Sequence, residues 1–140
     1  MLIIFDCDGV LVDSESLAAE IFSEVLAKFD ISFAPDQCFQ KFHGKTLSAC
    51  YQWIEQNFDT QLPANFDGVL RAETSRQFAL KLKPVDGIQL VLKSLNQNNT
   101  PFCVASNGGH EKIAHSLSVT ELDVFFKHRF SSEDVLKGKP

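Results

Sequence analysis

Four consecutive apolar residues near the amino terminus, Leu2-Ile3-Ile4-Phe5, stop abruptly at Asp6-Cys7-Asp8-Gly9. A short apolar run with two β-branched members, bounded by a turn signal, predicts a fully buried strand that delivers carboxylates to its C-terminal edge. In open α/β sheets that edge is where ligands bind. Strand alternation would send Asp6 and Asp8 to opposite faces, but Gly9 lets the backbone turn and bring both toward one space. Two carboxylates at a tight turn suit a metal-assisted reaction centre. Taken alone, Asp-x-Asp-Gly fits a plain Asp-Gly turn equally well.

The pattern then becomes helical. Leu17, Ile21, Val25 and Phe29 form one stripe at a spacing of four, with Ser14 as a candidate cap. A break around Pro35 follows, then a second helical signal over 46–58 with Thr46 as its cap, and a third over 65–82. Residues 15–82 therefore read as wholly helical, inserted between two pieces, 1–14 and 83–140, of another unit. In the later piece, an amphipathic helix with Ile88, Val91, Leu92 and Leu95 inward precedes a second buried strand, Pro101-Phe102-Cys103-Val104-Ala105. That strand ends at Ser106-Asn107-Gly108-Gly109, followed by a helix through about Leu117. Such a turn aims backbone N–H groups and a helix N-terminus outward, a natural anion site. Residues 125–130 read as a third strand region, interrupted by Lys127 to Arg129.

Charge and cysteine usage narrow the function classes. The net charge of −5, with no basic run, argues against nucleic acid or an anionic membrane surface as partner. The apolar run before Asp6 is too short for a signal peptide or a membrane span, so a cytoplasmic location is expected. Cys7, Cys38, Cys50 and Cys103 lack metal-ligand spacing and read as reduced thiols used as small hydrophobes. Cys7 lies between two carboxylates, whose charge keeps it a thiol and a poor nucleophile. The thirteen Phe against one Tyr and one Trp point to no functional class.

Asp6-Cys7-Asp8-Gly9-Val10-Leu11-Val12-Asp13 resembles the first motif of the haloacid dehalogenase-like hydrolases, in the phosphatase and phosphomutase branch written DxDGxxxD. Val104-Ala105-Ser106-Asn107-Gly108 resembles the second motif, and Gly138-Lys139-Pro140 the beginning of the third. The resemblance implies a Rossmann-like parallel α/β core carrying an inserted all-α cap. By that match Asp6 is the nucleophile, forming an aspartyl-phosphate, and Asp8 the general acid/base. A carboxylate nucleophile divides ester hydrolysis into two easier steps, and the second carboxyl lends and retrieves one proton. Ser106 and the Asn107 backbone N–H would hold the phosphoryl group. Lys139, with Lys137 as a nearby competitor, would neutralise its charge. Within the cap, Phe42-His43-Gly44-Lys45-Thr46 resembles the segment that carries substrate specificity, with Gly44 allowing close approach and Lys45 reaching an anionic group; an ordinary helix-helix turn is the other reading. The implied cofactor is Mg²⁺, on the Asp6 side chain and the Asp8 carbonyl. The implied substrate is a small phosphorylated metabolite, a sugar phosphate or a phosphosugar acid such as 6-phosphogluconate.

The family's fourth motif, which supplies further carboxylates to the metal, lies beyond the third. The core is therefore expected to be incomplete, its first strand at an open edge that a second copy could pair with to form a dimer. An inactive fragment, or a chain cut short of its full length, is the alternative expectation. A phosphomutase needs the same motifs and differs in whether water or a sugar hydroxyl receives the phosphoryl group. A haloacid dehalogenase needs no second Asp. A signalling receiver domain would need a third Asp at a strand end near residue 55, where the sequence reads as helix. A calcium loop would need oxygen ligands where Val10 and Leu11 stand.

Overall fold

The computed structural model describes residues 1–140, which divide into two compact units: Met1–Ser14 with Lys81–Pro140, and Glu15–Leu80. The first is an α/β unit. Its strands β1 (Ile3–Phe5), β2 (Phe102–Ser106) and β3 (Arg129–Ser131) form one parallel sheet in the order β1-β2-β3. Ile3 pairs with Phe102 and Phe5 with Val104, so Asp6 emerges beside the tip of β2. Ala105 and Ser106 pair with Phe130 and Ser131, which sets the tip of β3 beside that of β2. The core of the unit lies on Leu11, Val12, Leu92, Val104, Ile113, Leu117 and Leu122, all buried.

Strand β1 departs from the fully buried strand expected of it. It lies at the edge of the sheet, and Leu2 and Ile4 are 58 % and 62 % exposed. An apolar run reports burial only when both faces are covered, and here one face of β1 is open. The third strand also begins later than expected, at Arg129, because Asp123–Phe125 winds into a single 3₁₀ turn. Helix α5 (Ile88–Gln97) buries Ile88 and Leu92 but leaves Val91 exposed.

The second unit is all helical, and it supplies most of α1 (Ser14–Lys28), α2 (Pro35–Phe42), α3 (Leu47–Asn57) and α4 (Phe66–Lys81). Leu17, Ile21 and Val25 are buried along one face of α1. That helix stops where Asp30 adopts a left-handed φ of 61° and Ile31 N–H returns to the Leu26 carbonyl. The break expected around Pro35 is instead the first residue of α2, where the ring fixes φ and the missing N–H costs nothing. Thr46 caps α3 as expected, its hydroxyl accepting from Ala49 N–H at 3.3 Å. Helix α3 spans residue 55, so the strand a receiver domain would require there is absent.

No helix is long and apolar enough to cross a membrane. Most of the phenylalanines pack against other rings. Phe22, Phe29, Phe33, Phe42, Phe58 and Phe66 join Tyr51 and Trp53 in one network of ring contacts in the helical unit, while Phe5, Phe102 and Phe126 form an edge-to-face trio under the sheet.

Candidate active site

The chain leaves β1 into a tight turn. Gly9, at φ +76°, donates its N–H to the Val12 carbonyl, and the Leu11 N–H returns to the Cys7 carbonyl at 2.9 Å. An L side chain at Gly9 would be strained in that left-handed conformation. The turn leaves Asp6 and Asp8 at the sheet's C-terminal edge, each with its own lysine. Asp6 Oδ1 accepts from the Cys7 N–H at 2.8 Å and pairs with Lys139 Nζ at 2.9 Å. Asp8 is held from two sides, by the Ser14 hydroxyl on Oδ1 at 2.9 Å and by Lys112 Nζ on Oδ2 at 3.0 Å.

Lys139 joins the strand tips. Besides Asp6, its ammonium donates to the Ala105 carbonyl at 2.8 Å, directly before Ser106 on β2. Asp6, Lys139 and the β2 tip thus share one corner of the α/β unit, and Lys139 rather than Lys137 reaches the first motif. Ser106 is buried, with its hydroxyl accepting from Gly108 N–H at 3.1 Å. Asn107 uses its side-chain amide in an unforeseen way, donating to the Lys139 carbonyl at 3.1 Å and accepting from the Lys139 N–H at 2.7 Å.

At the start of helix α6 (His110–Val119), one N–H of the expected anion site is taken by the chain itself. Glu133 Oε2 accepts from the His110 N–H at 3.0 Å, and Asp134 reaches the His110 ring at 2.6 Å. The Ser131 and Ser132 hydroxyls donate at 2.7 Å to the Gly108 and Asn107 carbonyls. The segment after β3 therefore fastens the β2–α6 turn from outside. Its own Asp134 carboxyl is held below the usual carboxylate range, by the Ser131 N–H first and then by His110.

Sequence reasoning missed Lys112 and gave Ser14 the wrong partner. Ser14 is the first residue of α1, and its buried hydroxyl turns to Asp8 instead of capping the helix. Lys112 carried a readable signal: it is the third residue of the helix that leaves the β2 tip, and side chains in a helix lean toward its N-terminus. Cys7 is buried and its thiol is pushed up as expected, but for a different leading reason. Burial is the largest cause pushing it up to about 12, with the Asp8 charge second.

Gly44 and Lys45 belong to the helical unit. With Glu15, Phe22, Phe39 and His43 they line a cavity of about 210 Å³ that has an apolar floor. Gly44 takes a left-handed φ of +74°, where an L side chain would be strained, and a Cβ there would meet no protein atom within 4 Å. His43 Nδ1 lies 3.5 Å from Glu15 Oε2 at the rim.

The oxygens available to a cation are few. Asp6 Oδ2 and the Asp8 backbone carbonyl are not among those held by Cys7, Ser14, Lys112 or Lys139. No three His, Cys, Asp or Glu side chains cluster closely enough to hold a metal by themselves. Two hard oxygens fit Mg²⁺ in its usual protein setting, where one or two carboxylates share the ion with waters and substrate phosphate.

The haloacid dehalogenase-like hydrolase family matches residues 3–140. The chain is 30 % identical over 140 residues to the 6-phosphogluconate phosphatase of Escherichia coli K12, covering 99 % of this chain and 62 % of that protein. It is 24 % identical over 143 residues to (DL)-glycerol-3-phosphatase 2 of Arabidopsis thaliana, covering 99 % and 59 %. Among solved structures, a HAD family hydrolase from Deinococcus radiodurans R1 with bound phosphate and sodium superposes with a TM-score of 0.88 at 26 % identity, over 99 % of this chain and 61 % of that one. The chain thus spans about three-fifths of the length of these relatives. With the motif-bearing strand tips, the parallel sheet and a match over nearly every residue in agreement, the chain belongs to the haloacid dehalogenase-like hydrolases.

Proposed function

We propose that the protein is the catalytic part of a Mg²⁺-dependent phosphatase acting on a small phosphorylated metabolite, a sugar phosphate or phosphosugar acid. The observation that carries this reading is the Lys139 ammonium, which spans Asp6 Oδ1 and the Ala105 carbonyl. A fixed cation between a carboxylate and a strand tip suits a site where phosphoryl oxygens must be held beside an anionic nucleophile. The E. coli relative named a 6-phosphogluconate phosphatase supports the phosphosugar-acid branch of the reading.

In this reading Asp6 attacks phosphorus, the ester oxygen leaves, and an aspartyl-phosphate forms. Asp8 gives its proton to the leaving alkoxide and later takes one from the water that releases phosphate, so the carboxyl is restored each cycle. Ser14 and Lys112 orient Asp8. The Ser106 hydroxyl and Asn107 N–H donate to the phosphoryl oxygens, and Lys139 offsets their charge. Asp6 and the Asp8 carbonyl would hold Mg²⁺, which supplies charge shielding between the two anions. Gly44 and Lys45 are the substrate-specificity residues of this reading, on the family resemblance of their segment.

Purified protein screened against a panel of phosphate esters, with and without Mg²⁺, tests the reading. Metal-dependent release of phosphate that Asp6→Asn abolishes is the expected result. Substantial turnover by the Asn variant would remove Asp6 as nucleophile, and no hydrolysis of any ester would favour the inactive-fragment alternative for these residues.

A further inference from the structure

We propose that the side-chain amide of Asn107 is the positioning element that sets the Lys139 ammonium on Asp6. A lysine ammonium rides on a long flexible stem, so its location is defined only as well as the backbone beneath it. At Lys139 both main-chain polar groups are taken by one amide: its N–H donates to Asn107 Oδ1 at 2.7 Å, and its carbonyl accepts from Asn107 Nδ2 at 3.1 Å. This reciprocal pair works like one rung of a sheet ladder and fixes the direction in which the Lys139 side chain departs. From there Nζ reaches the Ala105 carbonyl and Asp6 Oδ1, at 2.8 and 2.9 Å.

Two further observations make the amide a fixed reference. The Asn107 carbonyl is held by the Ser132 hydroxyl at 2.7 Å, so the residue that holds Lys139 is itself fastened. A Cβ built on Gly138 would stand 2.6 Å from Asn107 Oδ1, so the neighbouring residue must lack a side chain for the amide to approach. The Gly-Lys pair therefore has a local steric reason: glycine admits the amide, and the amide aims the lysine. This role differs from the backbone N–H role assigned to Asn107 above, because replacing its side chain leaves that N–H in place. Only the consequence for turnover rests on the phosphatase reading; the tether itself is a statement about Lys139.

Competitive acetylation of the full chain with limiting acetic anhydride, read by mass spectrometry as the ratio of Lys139 to Lys137 labelling, tests the tether directly. Losing two neutral hydrogen bonds should raise that ratio at least about fivefold in Asn107→Ala. Asn107→Asp keeps the acceptor for the Lys139 N–H and should fall between. Gly138→Ala, which pushes the amide away without removing it, should match Asn107→Ala. A ratio unchanged in both alanine variants, with circular dichroism like that of the parent, overturns the proposal. With a hydrolysed ester in hand, Asn107→Ala should lower kcat/KM in the parent and have no further effect in a Lys139→Ala background. A second drop of equal size there would assign the side chain to the phosphate itself and overturn the positioning role. Raised labelling in Asn107→Ala, with a parent that hydrolyses no ester, would uphold the tether while removing support for turnover at this site.

Discussion

In the helical unit, Phe22, Phe42, Phe66, Tyr51 and Trp53 meet at centroid separations of 5.1 to 6.4 Å, whereas in the α/β unit the ends of the strands are bound by lysines, hydroxyls and one amide. The first arrangement is held by burial, which is non-directional and scales with area. The second is held by directional bonds around groups that are 42 to 48 % exposed at Lys139 and Asp6. Burial secures a shape, while directional bonds secure the location of particular atoms. Substitutions in the two regions should therefore fail differently, one in stability and the other in chemistry.

The largest effect is expected from Phe66→Ala. Phe66 is 1 % exposed and touches the rings of Phe22, Phe29 and Tyr51. Truncating such a side chain costs about 3–5 kcal/mol, which urea unfolding followed by Trp53 fluorescence would read, since Trp53 lies in the same network. A loss under about 1 kcal/mol would mean that the cluster repacks, and would break the comparison. Next comes Lys112→Met, which removes one of the two groups on Asp8. Hydrogen bonds to charged groups are worth roughly 1.5–3 kcal/mol, so phosphate-ester turnover should fall about ten- to a hundredfold. Because Lys112 is exposed, the urea midpoint should scarcely move. A shift in midpoint with turnover intact would reverse the roles of the two regions.

How much of this was legible in the sequence follows the same division. Asp6, Ser106 and Lys139 could be found because their motifs are local strings, and the structure brings them to one corner through Lys139. The main helices could be found because Leu17, Ile21 and Val25, or Phe66, Leu70 and Phe78, repeat along a single face. What was not legible depended on partners distant in the chain. The Ser14 hydroxyl has two outlets, its own helix or Asp8, and only the folded turn at Gly9 selects the second. Glu133 at the start of α6 and Asn107 on Lys139 are bonds across 23 and 32 residues, beyond any spacing rule. The edge position of β1 was legible, whereas its exposed face at Leu2 and Ile4 was not, because strand composition does not report what covers a face. Helix α2 was missed because Pro35 reads equally as a breaker and as a first helical residue.

Two smaller effects sharpen the comparison inside the helical unit. Thr46→Ala removes the cap of α3 and should cost about 1 kcal/mol, well below Phe66→Ala in the same urea assay, because it leaves one orphan N–H near solvent instead of a cavity. The smallest effect is electrostatic. Glu73 accepts from Arg76 and Gln77, and these bonds, Arg76 first, hold its carboxyl at about 2, below its ordinary 4.5. A depressed carboxyl means the unfolded chain takes up the proton first as pH falls. The contribution is thus complete above about 4.5 and is lost as pH drops from there toward about 2. Asp67, lowered by Arg71 and then by Tyr51, acts in the same direction. Glu73→Gln should therefore lower the urea midpoint slightly at neutral pH and flatten its acid limb, read at Trp53, with the parent and variant curves converging as pH falls toward about 2. An acid limb as steep as the parent's would remove Glu73 as the source of the proton uptake and leave Asp67 to carry it.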